Sequence, residues 1–498
     1  MDQYPTWVGF VFVFNLVVGT GSLLLPSAFA KTGYVLSTIL VLFLSFTSYL
    51  TVTFVIETLS CSNALIKWRK IQLLKRGGSI QSGSGNERND DDDSNDSTDD
   101  EERSLMRGCD VSASEDTPLT IQNNNFYTLN HKLEFGEMSK LFLPPTGSLL
   151  FYICIAIYLY GDMSIYSVTV SSTLRDVICD KRNISINTTE LMTMSCFLDG
   201  TMNRFDAYRV CLIIFTLTLA PFVFFNVSKT KHLQFFTLSF RFVAFSIMIG
   251  IAIHRILYPN VNDEIPEPIA YDITNVPFLI GSLIYAFMSQ HSLPSLLVPI
   301  AEKDKISRIV FVDYFLITAL YTILALTGIF AFANVEDLYT LNFIPTDANQ
   351  SLFFKIVEYF LALFPVFTLT TTFPIVGCTL RNNLQSLFVE TSQMNSQNFF
   401  VRRMLFPLMA VIPPFLITFN TENVRSLVSF TGCYVGAFIQ YLIPIILVYY
   451  ARKTCNNILG MGIVNDFKSR FQSNFWLIML FTWTCLSLIF VTINLFKS

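Results

Sequence analysis

The sequence predicts an all-α integral membrane protein with eleven transmembrane helices. Of its 498 residues, 52% are hydrophobic and only 14% are charged, and the mean hydropathy is +0.50. These values exclude an ordinary soluble globular protein and make the lipid bilayer the chain's main surroundings. Acidic residues concentrate in one internal tract and in the predicted outer loops, so the net charge of −4 indicates no nucleic-acid partner.

Eleven apolar segments are found with a window of about 20 residues. They lie at 8–30, 34–59, 147–173, 207–227, 232–256, 276–299, 308–333, 352–380, 403–420, 426–450 and 474–496. Segment 403–420 is the weakest because three prolines interrupt it. The N-terminus has no Lys or Arg before Lys31, and its apolar stretch exceeds the core of a signal peptide, so we expect a retained first helix.

These segments divide the chain into five parts. We predict helices 1 and 2 in 1–60, a cytoplasmic disordered acidic linker in 61–133, an amphipathic segment with helices 3–5 in 134–256, helices 6–10 in 257–450, and a cytoplasmic loop with helix 11 in 451–498. The linker contains a run of acids at 90–102 that cannot collapse into a core. Ser94, Ser97 and Thr98 make it a candidate kinase substrate, and Glu101 to Met106 approximates a sorting-adaptor signal. The alternative is a simple solvated linker.

Basic residues predict the orientation. Alternate connections carry Lys67, Arg69, Lys70, Lys75 and Arg76; Lys229 and Lys231; Lys303, Lys305 and Arg308; Arg381, Arg402 and Arg403; and Arg452, Lys453, Lys468 and Arg470. The intervening connections carry acids. By the positive-inside rule the N-terminus is cytoplasmic, and the odd number of spans puts the C-terminus in the lumen or outside the cell. The resident membrane is the plasma membrane or an endolysosomal membrane.

The predicted outer loop 174–206 is consistent with this orientation. It contains glycosylation acceptors at Asn183 and Asn187. It also contains Cys179 and Cys196, and a disulfide between them suits an oxidising compartment and contributes about 3 kcal/mol in the entropy model. The alternative is two free thiols and unused acceptors.

Two of the spans are interrupted by polar residues. Span 1 carries Gly19-Thr20-Gly21-Ser22 at its middle, and span 6 carries Ser289-Gln290-His291-Ser292 just before Pro294. Glycine weakens a helix by about 1 kcal/mol relative to alanine, and proline removes a backbone donor. The breaks lie five spans apart, as in transporters built from a five-plus-five inverted repeat with discontinuous helices 1 and 6. Close packing through small residues is the alternative for the first break.

The residues from Asn15 to Gly33 resemble the first-helix pattern of the amino acid/auxin permease family, within the amino acid–polyamine–cation superfamily. Four further motifs resemble a less characterised branch of that family: Tyr158–Asp162, Ser289–Ser295, Tyr339–Phe343 and Thr379–Asn383. The resemblance covers the chain outside the acidic tract. It implies the broken-helix inverted-repeat fold with one extra helix, and amino acid transport coupled to Na⁺ or H⁺, with no other cofactor.

The resemblance also implies a set of site residues. Gly19, Thr20, Gly21 and Ser22 are expected to meet a substrate carboxylate through backbone N–H groups, and Ser289, Gln290 and His291 to face it from span 6. Asn15 occupies the family's first-helix ion position, with Thr370 and Thr372 supplying hydroxyls from span 8. For these threonines, bonding back to their own helix is the alternative.

Asp162 lies near the middle of span 3, where an ionised carboxylate costs at least about 3 kcal/mol, so it should be partnered or protonated. We hypothesise that Asp162 or His291 titrates during transport; a fixed hydrogen bond of Asp162 is the alternative. We expect Glu57, Arg241 and Asp313 to lie toward the cytoplasmic ends of spans 2, 5 and 7 and to form structural pairs.

The sequence therefore favours a secondary active transporter of amino acids or related small solutes working by alternating access, and not an enzyme. Two other classes stay open. One is a nutrient sensor with a transporter fold, signalling through the acidic linker. The other is a membrane acyltransferase using His291, for which no second motif is found.

The topology can be tested on the outer loop. Replacing both Asn183 and Asn187 with Gln should abolish the glycosidase-sensitive mobility shift of the full-length protein, because these acceptors face the lumen. Asn226-Val227-Ser228 is an acceptor sequence on the predicted cytoplasmic side. A shift that survives and maps to Asn226 would show the inverted orientation.

Overall fold

A computed structural model of the chain describes residues 3–81, 126–179, 196, 202–224, 231–259, 267–343, 352–388, 404–460 and 463–497. The acidic tract and the acceptors Asn183 and Asn187 lie outside these residues. The kinase, sorting-adaptor and glycan predictions therefore stay predictions.

The described residues form helices and connecting loops. The α-helices are α1 (Thr6–Val17), α2 (Gly21–Thr32), α3 (Tyr34–Gln81), α4 (Phe135–Phe142), α5 (Pro145–Ile178), α6 (Arg204–Val223), α7 (Lys231–Leu257), α8 (Val276–Ala286), α9 (Leu293–Leu297), α10 (Ile306–Ala331), α11 (Leu352–Ala362), α12 (Phe364–Phe388), α13 (Phe406–Asn420), α14 (Val424–Phe430), α15 (Ile443–Leu459) and α16 (Asn474–Lys497).

Every predicted apolar segment coincides with helix, and the all-α membrane architecture is confirmed. Within the described residues, seven helices are long and apolar enough to cross a membrane, and the bent pair α1–α2 makes eight. The segments predicted as spans 6, 9 and 11 contain the shorter apolar helices Val276–Ala286, Phe406–Asn420 and Asn474–Phe490. The count of eleven crossings stays a prediction.

Both predicted breaks are present. The α1 and α2 helices meet at an angle of 49°, and the second break separates α8 from α9. Local sequence explains where these helices start and stop. Proline occupies the first turn of α8 and of α9, where a missing N–H costs nothing. Gly33 ends α2 with φ of 93°, a left-handed conformation that favours glycine.

The broken helices form the centre of the bundle. Every residue from Gly21 to Phe29 in α2 is buried, and α8 is buried from Leu279 to Ala286. The α2 helix packs against α8 and α10, α5 packs against α12, and α3 packs against α15. Lipid-facing side chains lie mostly on the outer helices, for example Leu217 on α6 and Phe315 on α10, each 70% exposed. Broken helices therefore lie where polar backbone is shielded from lipid.

Span 10 is wound differently from the prediction. Between α14 and α15, Thr431–Gly436 and Phe438–Leu442 adopt π-helix, a form that often marks functional regions. This segment packs on α8. A side chain at Gly432 would collide with the carbonyl oxygen of Gly281, so glycine is required for this close approach.

The structure differs from the sequence prediction at both ends of the linker. Residues 61–81 continue α3 as helix. At the other end, residues 126–134 pack against the bundle, with Phe126 and Leu129 buried and the His131 N–H donating to Asn63 Oδ1 at 2.9 Å. The predicted amphipathic segment is present as α4. The predicted disulfide between Cys179 and Cys196 is formed.

One buried ion pair fastens α3 to α15. The guanidinium of Arg452 donates to both carboxylate oxygens of Glu57, at 2.9 and 2.7 Å, and the Ser469 N–H donates to the same carboxylate at 3.1 Å. Glu57 is 2% exposed. The expected pairing of Glu57 is therefore observed.

Removing one partner of this pair should destabilise the protein strongly, because an unpaired charge would remain buried. We expect Arg452→Ala to cost about 3–5 kcal/mol and to lower the midpoint of thermal unfolding in detergent. The double variant Glu57→Gln/Arg452→Gln should recover part of the loss.

The matched control is the exposed pair of Lys305 with Glu302, whose side chains are 54% and 52% exposed. Lys305→Ala should cost under about 1 kcal/mol. Equal midpoints for Arg452→Ala and Lys305→Ala would contradict this account.

Candidate functional site

The first break consists of Val18, Gly19 and Thr20. The Gly19 carbonyl accepts the Ser22 hydroxyl at 2.7 Å, so Ser22 supports the turn from its own helix. The backbone N–H groups of Gly19, Thr20 and Gly21 have no acceptor within the described residues. They carry the positive end of the α2 dipole.

Gly21 holds the two broken helices together. It is the first residue of α2, one position beyond the irregular backbone. A Cβ atom there would lie 2.5 Å from the Cα of Ala286 at the end of α8. Gly19 differs, since a Cβ atom at Gly19 would meet nothing within 4 Å. Gly21 is therefore a packing contact, while Gly19 faces open space.

A tyrosine of α10 links both breaks. The Tyr321 hydroxyl lies 3.1 Å from the carbonyl oxygen of Val17 and 3.1 Å from that of Ala286, and is placed to donate to either. These carbonyls end α1 and α8, so neither has its full helical partner. Tyr321 thus contacts the C-terminal ends of both half-helices and can donate its one hydroxyl hydrogen to either carbonyl.

Asp162 is partnered within the site. Tyr285 donates to Asp162 Oδ1 at 2.7 Å, and the Thr20 hydroxyl lies 3.0 Å from the Tyr285 hydroxyl. Because the Tyr285 hydrogen points to Asp162, Thr20 is the donor to Tyr285. Tyr166 also lies beside the carboxylate. The chain Thr20–Tyr285–Asp162 connects the first break, α8 and α5, and all three residues are buried.

Arg241 lies on the other side of the first break. It extends from α7, is 2% exposed, and its Nη1 donates to the Asn15 carbonyl oxygen at 2.7 Å and to Asn15 Oδ1 at 3.3 Å. The expectation that it pairs near the end of its span is corrected. The sequence predicts only a structural pair for Arg241, although a lone charge inside an apolar span is itself a signal of function.

The polar residues of the second break point in different directions. The Ser289 hydroxyl bonds Tyr314 of α10 at 2.9 Å, and Gln290 Nε2 donates to Thr51 of α3 at 3.1 Å. Both residues are fully buried. His291 instead lines the cavity described below, with its ring 5.3 Å from that of Tyr158. Of the three residues predicted for span 6, the structure places only His291 at the cavity wall.

The span 8 threonines bond to their own helix. Thr370 donates to the Val366 carbonyl at 2.5 Å and Thr372 to the Thr368 carbonyl at 3.1 Å. Thr372 also lines the cavity. Thr368 lies nearest the first break, since it shares a small enclosed space with Gly19 and Arg241.

A cavity of about 550 Å³ joins these parts, a volume in the range of small-molecule sites. Its inner wall holds Asn15, Gly19, Thr20, Gly21, Asp162, Tyr285, His291 and Arg241. Its mouth holds Lys132, Glu134 and Gly136 beside α4, and Arg381, Asn382 and Asn383 on α12. Burial raises the pKa of the Glu134 carboxyl, and the nearby Glu137 adds to this shift. Both helix breaks are therefore reached from one end of the bundle.

The opposite end of the bundle is closed. Arg175 of α5 pairs with Glu422 and with Asp176, and Arg204 of α6 pairs with Asp176 at 2.9 Å. The Tyr208 hydroxyl donates to the Thr418 carbonyl at 2.8 Å. None of these residues lines the cavity.

The two glycines of the first break give a matched pair of variants. Gly21→Ala should separate α2 from α8 and lower the midpoint of thermal unfolding, because the new methyl group would overlap the α8 backbone. Gly19→Ala places its methyl group in the cavity and should leave the midpoint near that of the wild type. Equal destabilisation by both variants would show that any side chain added at the break lowers stability, whether or not it overlaps Ala286.

Comparisons with known proteins agree with this architecture. Residues 120–493 match the family described as "Transmembrane amino acid transporter protein". "Transmembrane protein 104 homolog" of Drosophila melanogaster is 47% identical, over 99% of this chain and 97% of the relative. "Transmembrane protein 104" of Homo sapiens is 40% identical, over 100% and 97%. A homologue from Dictyostelium discoideum is 32% identical, over 98% and 96%. The chain therefore belongs to the transmembrane protein 104 family within the amino acid/auxin permease family.

Proposed function

We propose that the protein is a secondary active transporter of amino acids or related small solutes, coupled to H⁺ or Na⁺. The supporting observation is the single cavity whose inner wall holds both helix breaks. Family membership supports a transporter-like role in a membrane. Discontinuous helices offer a solute fixed dipoles and backbone groups that a continuous helix does not.

The substrate's carboxylate would bind at the start of α2. This placement is supported because Gly19, Thr20 and Gly21 line the cavity, their N–H groups have no acceptor among the described residues, and the start of a helix carries the positive end of its dipole. His291 and Tyr158 would border the solute from the opposite wall. The role expected for Ser289 and Gln290 becomes indirect, since they fasten the second break to α10 and α3.

The conformation would be the inward-open state of an alternating-access cycle. Positive loops predict that the mouth beside α4 and Arg381 faces the cytosol. The ion pairs of Arg175 and Arg204 would then close the outer side. Outward opening would require these contacts, or those of α2, to separate.

A nutrient sensor is the second candidate, because residues at the C-terminal end of the linker line the cavity. Lys132, near the end of the predicted linker 61–133, and Glu134, directly after it, line the mouth. Solute binding could thus alter the position of the linker.

Flux measurements separate these functions. Reconstituted full-length protein should take up labelled amino acids into liposomes and should lose uptake when the gradient of the coupling ion is removed. Binding without uptake, seen as a thermal shift with an amino acid, would favour the sensor. Transfer of an acyl group would favour the enzyme.

Proton coupling can be tested at Asp162. Asp162→Asn keeps a group that accepts a hydrogen bond from Tyr285 but cannot ionise. We expect it to flatten the pH dependence of uptake while substrate exchange continues. The comparison is Asp313→Asn on α10, since both carboxyl oxygens of Asp313 are buried without a hydrogen-bond partner in the described part of the chain. Wild-type pH dependence in Asp162→Asn would make Asp162 structural.

A further inference from the structure

Arg241 occupies a position that is normally attractive to a metal cation. The Asn15 carbonyl lies in the last turn of α1, where the helix dipole concentrates negative partial charge. Unwound carbonyls and half-helix C-terminal ends are the groups that coordinate sodium in transporters with broken helices. Here the guanidinium of Arg241 bonds both the Asn15 carbonyl and the Asn15 side-chain oxygen.

Little room remains on one side of the guanidinium. Val18, Gly19, Thr368, Phe245 and Phe364 enclose a space beside Arg241 that is too small for a water molecule. Asn15 and Arg241 also line the larger cavity, but both Asn15 oxygens already accept hydrogen bonds from the guanidinium. A sodium ion that took these oxygens as ligands would therefore have to displace the guanidinium.

Charge leads to the same conclusion. Arginine stays protonated in proteins, and Arg241 forms no ion pair with a carboxylate among the described residues. Its bonds at Asn15 are made to neutral oxygens on an electronegative helix end. A second cation in this place would be repelled by the positive charge of a guanidinium that is only 2% exposed.

We infer that the Arg241 guanidinium is a built-in cation that takes the place of a coupling sodium ion at the first helix break. This inference deepens the proposed function. It rests on that function only in assuming that an ion drives transport. It reassigns the role of Asn15 from a ligand of a mobile ion to the partner of a fixed one. An ion that drives solute flux through this protein would have to act elsewhere in the site.

The test uses sodium itself as the probe, on purified full-length protein. The midpoint of thermal unfolding is measured in NaCl and in KCl at equal ionic strength. The wild type should give the same midpoint in both salts. Arg241→Ala vacates the position and should gain a sodium-specific rise. At a sodium concentration ten times the Kd, the apparent folding constant should increase about elevenfold.

Two further variants keep the test decisive. Arg241→Lys retains the positive charge and should stay insensitive to sodium. Arg241→Gln removes the charge but keeps a hydrogen-bond donor for the Asn15 carbonyl. It replaces Arg241→Ala if that variant does not fold, and its unfolding midpoint should gain the sodium-specific rise. A sodium-specific rise in the wild type that Asn15→Ala abolishes would overturn the inference. So would folded neutral variants that ignore sodium.

These results are separable from the proposed function because no step measures transport. Absence of flux in liposomes would count against a transporter and would leave the sodium comparison as it stands. Conversely, sodium-driven flux in the wild type that Asn15→Ala abolishes would support transport and overturn the inference about Arg241.

Discussion

Helices that stop inside a membrane must still satisfy their backbone, and this constraint governs the centre of the molecule. An unpaired carbonyl in hydrocarbon costs several kcal/mol. Side chains from three other helices bond the freed carbonyls. Arg241 donates to Asn15, Tyr321 is placed to donate to Val17 and Ala286, and Ser48 donates to the Phe287 carbonyl at 3.1 Å. Side-chain donors are thus present at the carbonyl ends of both breaks, whereas the N–H groups at the start of α2 have no acceptor among the described residues.

The first break also joins two ionisable side chains of opposite charge without bringing them into a salt bridge. Asp162 is connected to it through Tyr285 and Thr20, and Arg241 through Asn15. A charged residue at the centre of a membrane helix costs about 2.5–3.5 kcal/mol on insertion scales, so two such residues at one place are expensive to retain for packing alone. Arg241 bonds Asn15 in the last turn of α1, and Asp162 reaches Thr20 at the start of α2 through Tyr285. A shift of α1 against α2 would therefore change the surroundings of both charges together.

The sequence could predict where the helices break but not which way the polar residues of a break point. Glycine, hydroxyl residues and proline identify the positions without reference to neighbours. Helical periodicity, which normally assigns a side chain to a face, does not apply to irregular backbone, so Gln290 and His291 could not be separated. Arg241 was detectable as a charge inside an apolar span, but its contact with Asn15 depends on the packing of α7 against α1, which no local pattern contains. The π-helical winding of span 10 depends likewise on the closeness of Gly432 to α8.

The ion pairs at the closed end differ in how well they are buried. Arg175 is 11% exposed, and its partners Glu422 and Asp176 are 10% and 14% exposed. Solvent therefore screens these ion pairs weakly. The α2 helix is held differently at this end: Lys31 pairs with Asp337 at 3.0 Å, and the two side chains are 30% and 44% exposed. Exposed pairs of this kind contribute about 0–1 kcal/mol. The α2 helix also begins at the N–H groups proposed to bind the solute, and it contacts α8 through Gly21. A solute bound at those N–H groups would therefore act directly on a helix whose ion pair at the closed end is partly exposed, while the pairs between α5, α6 and Glu422 are better buried.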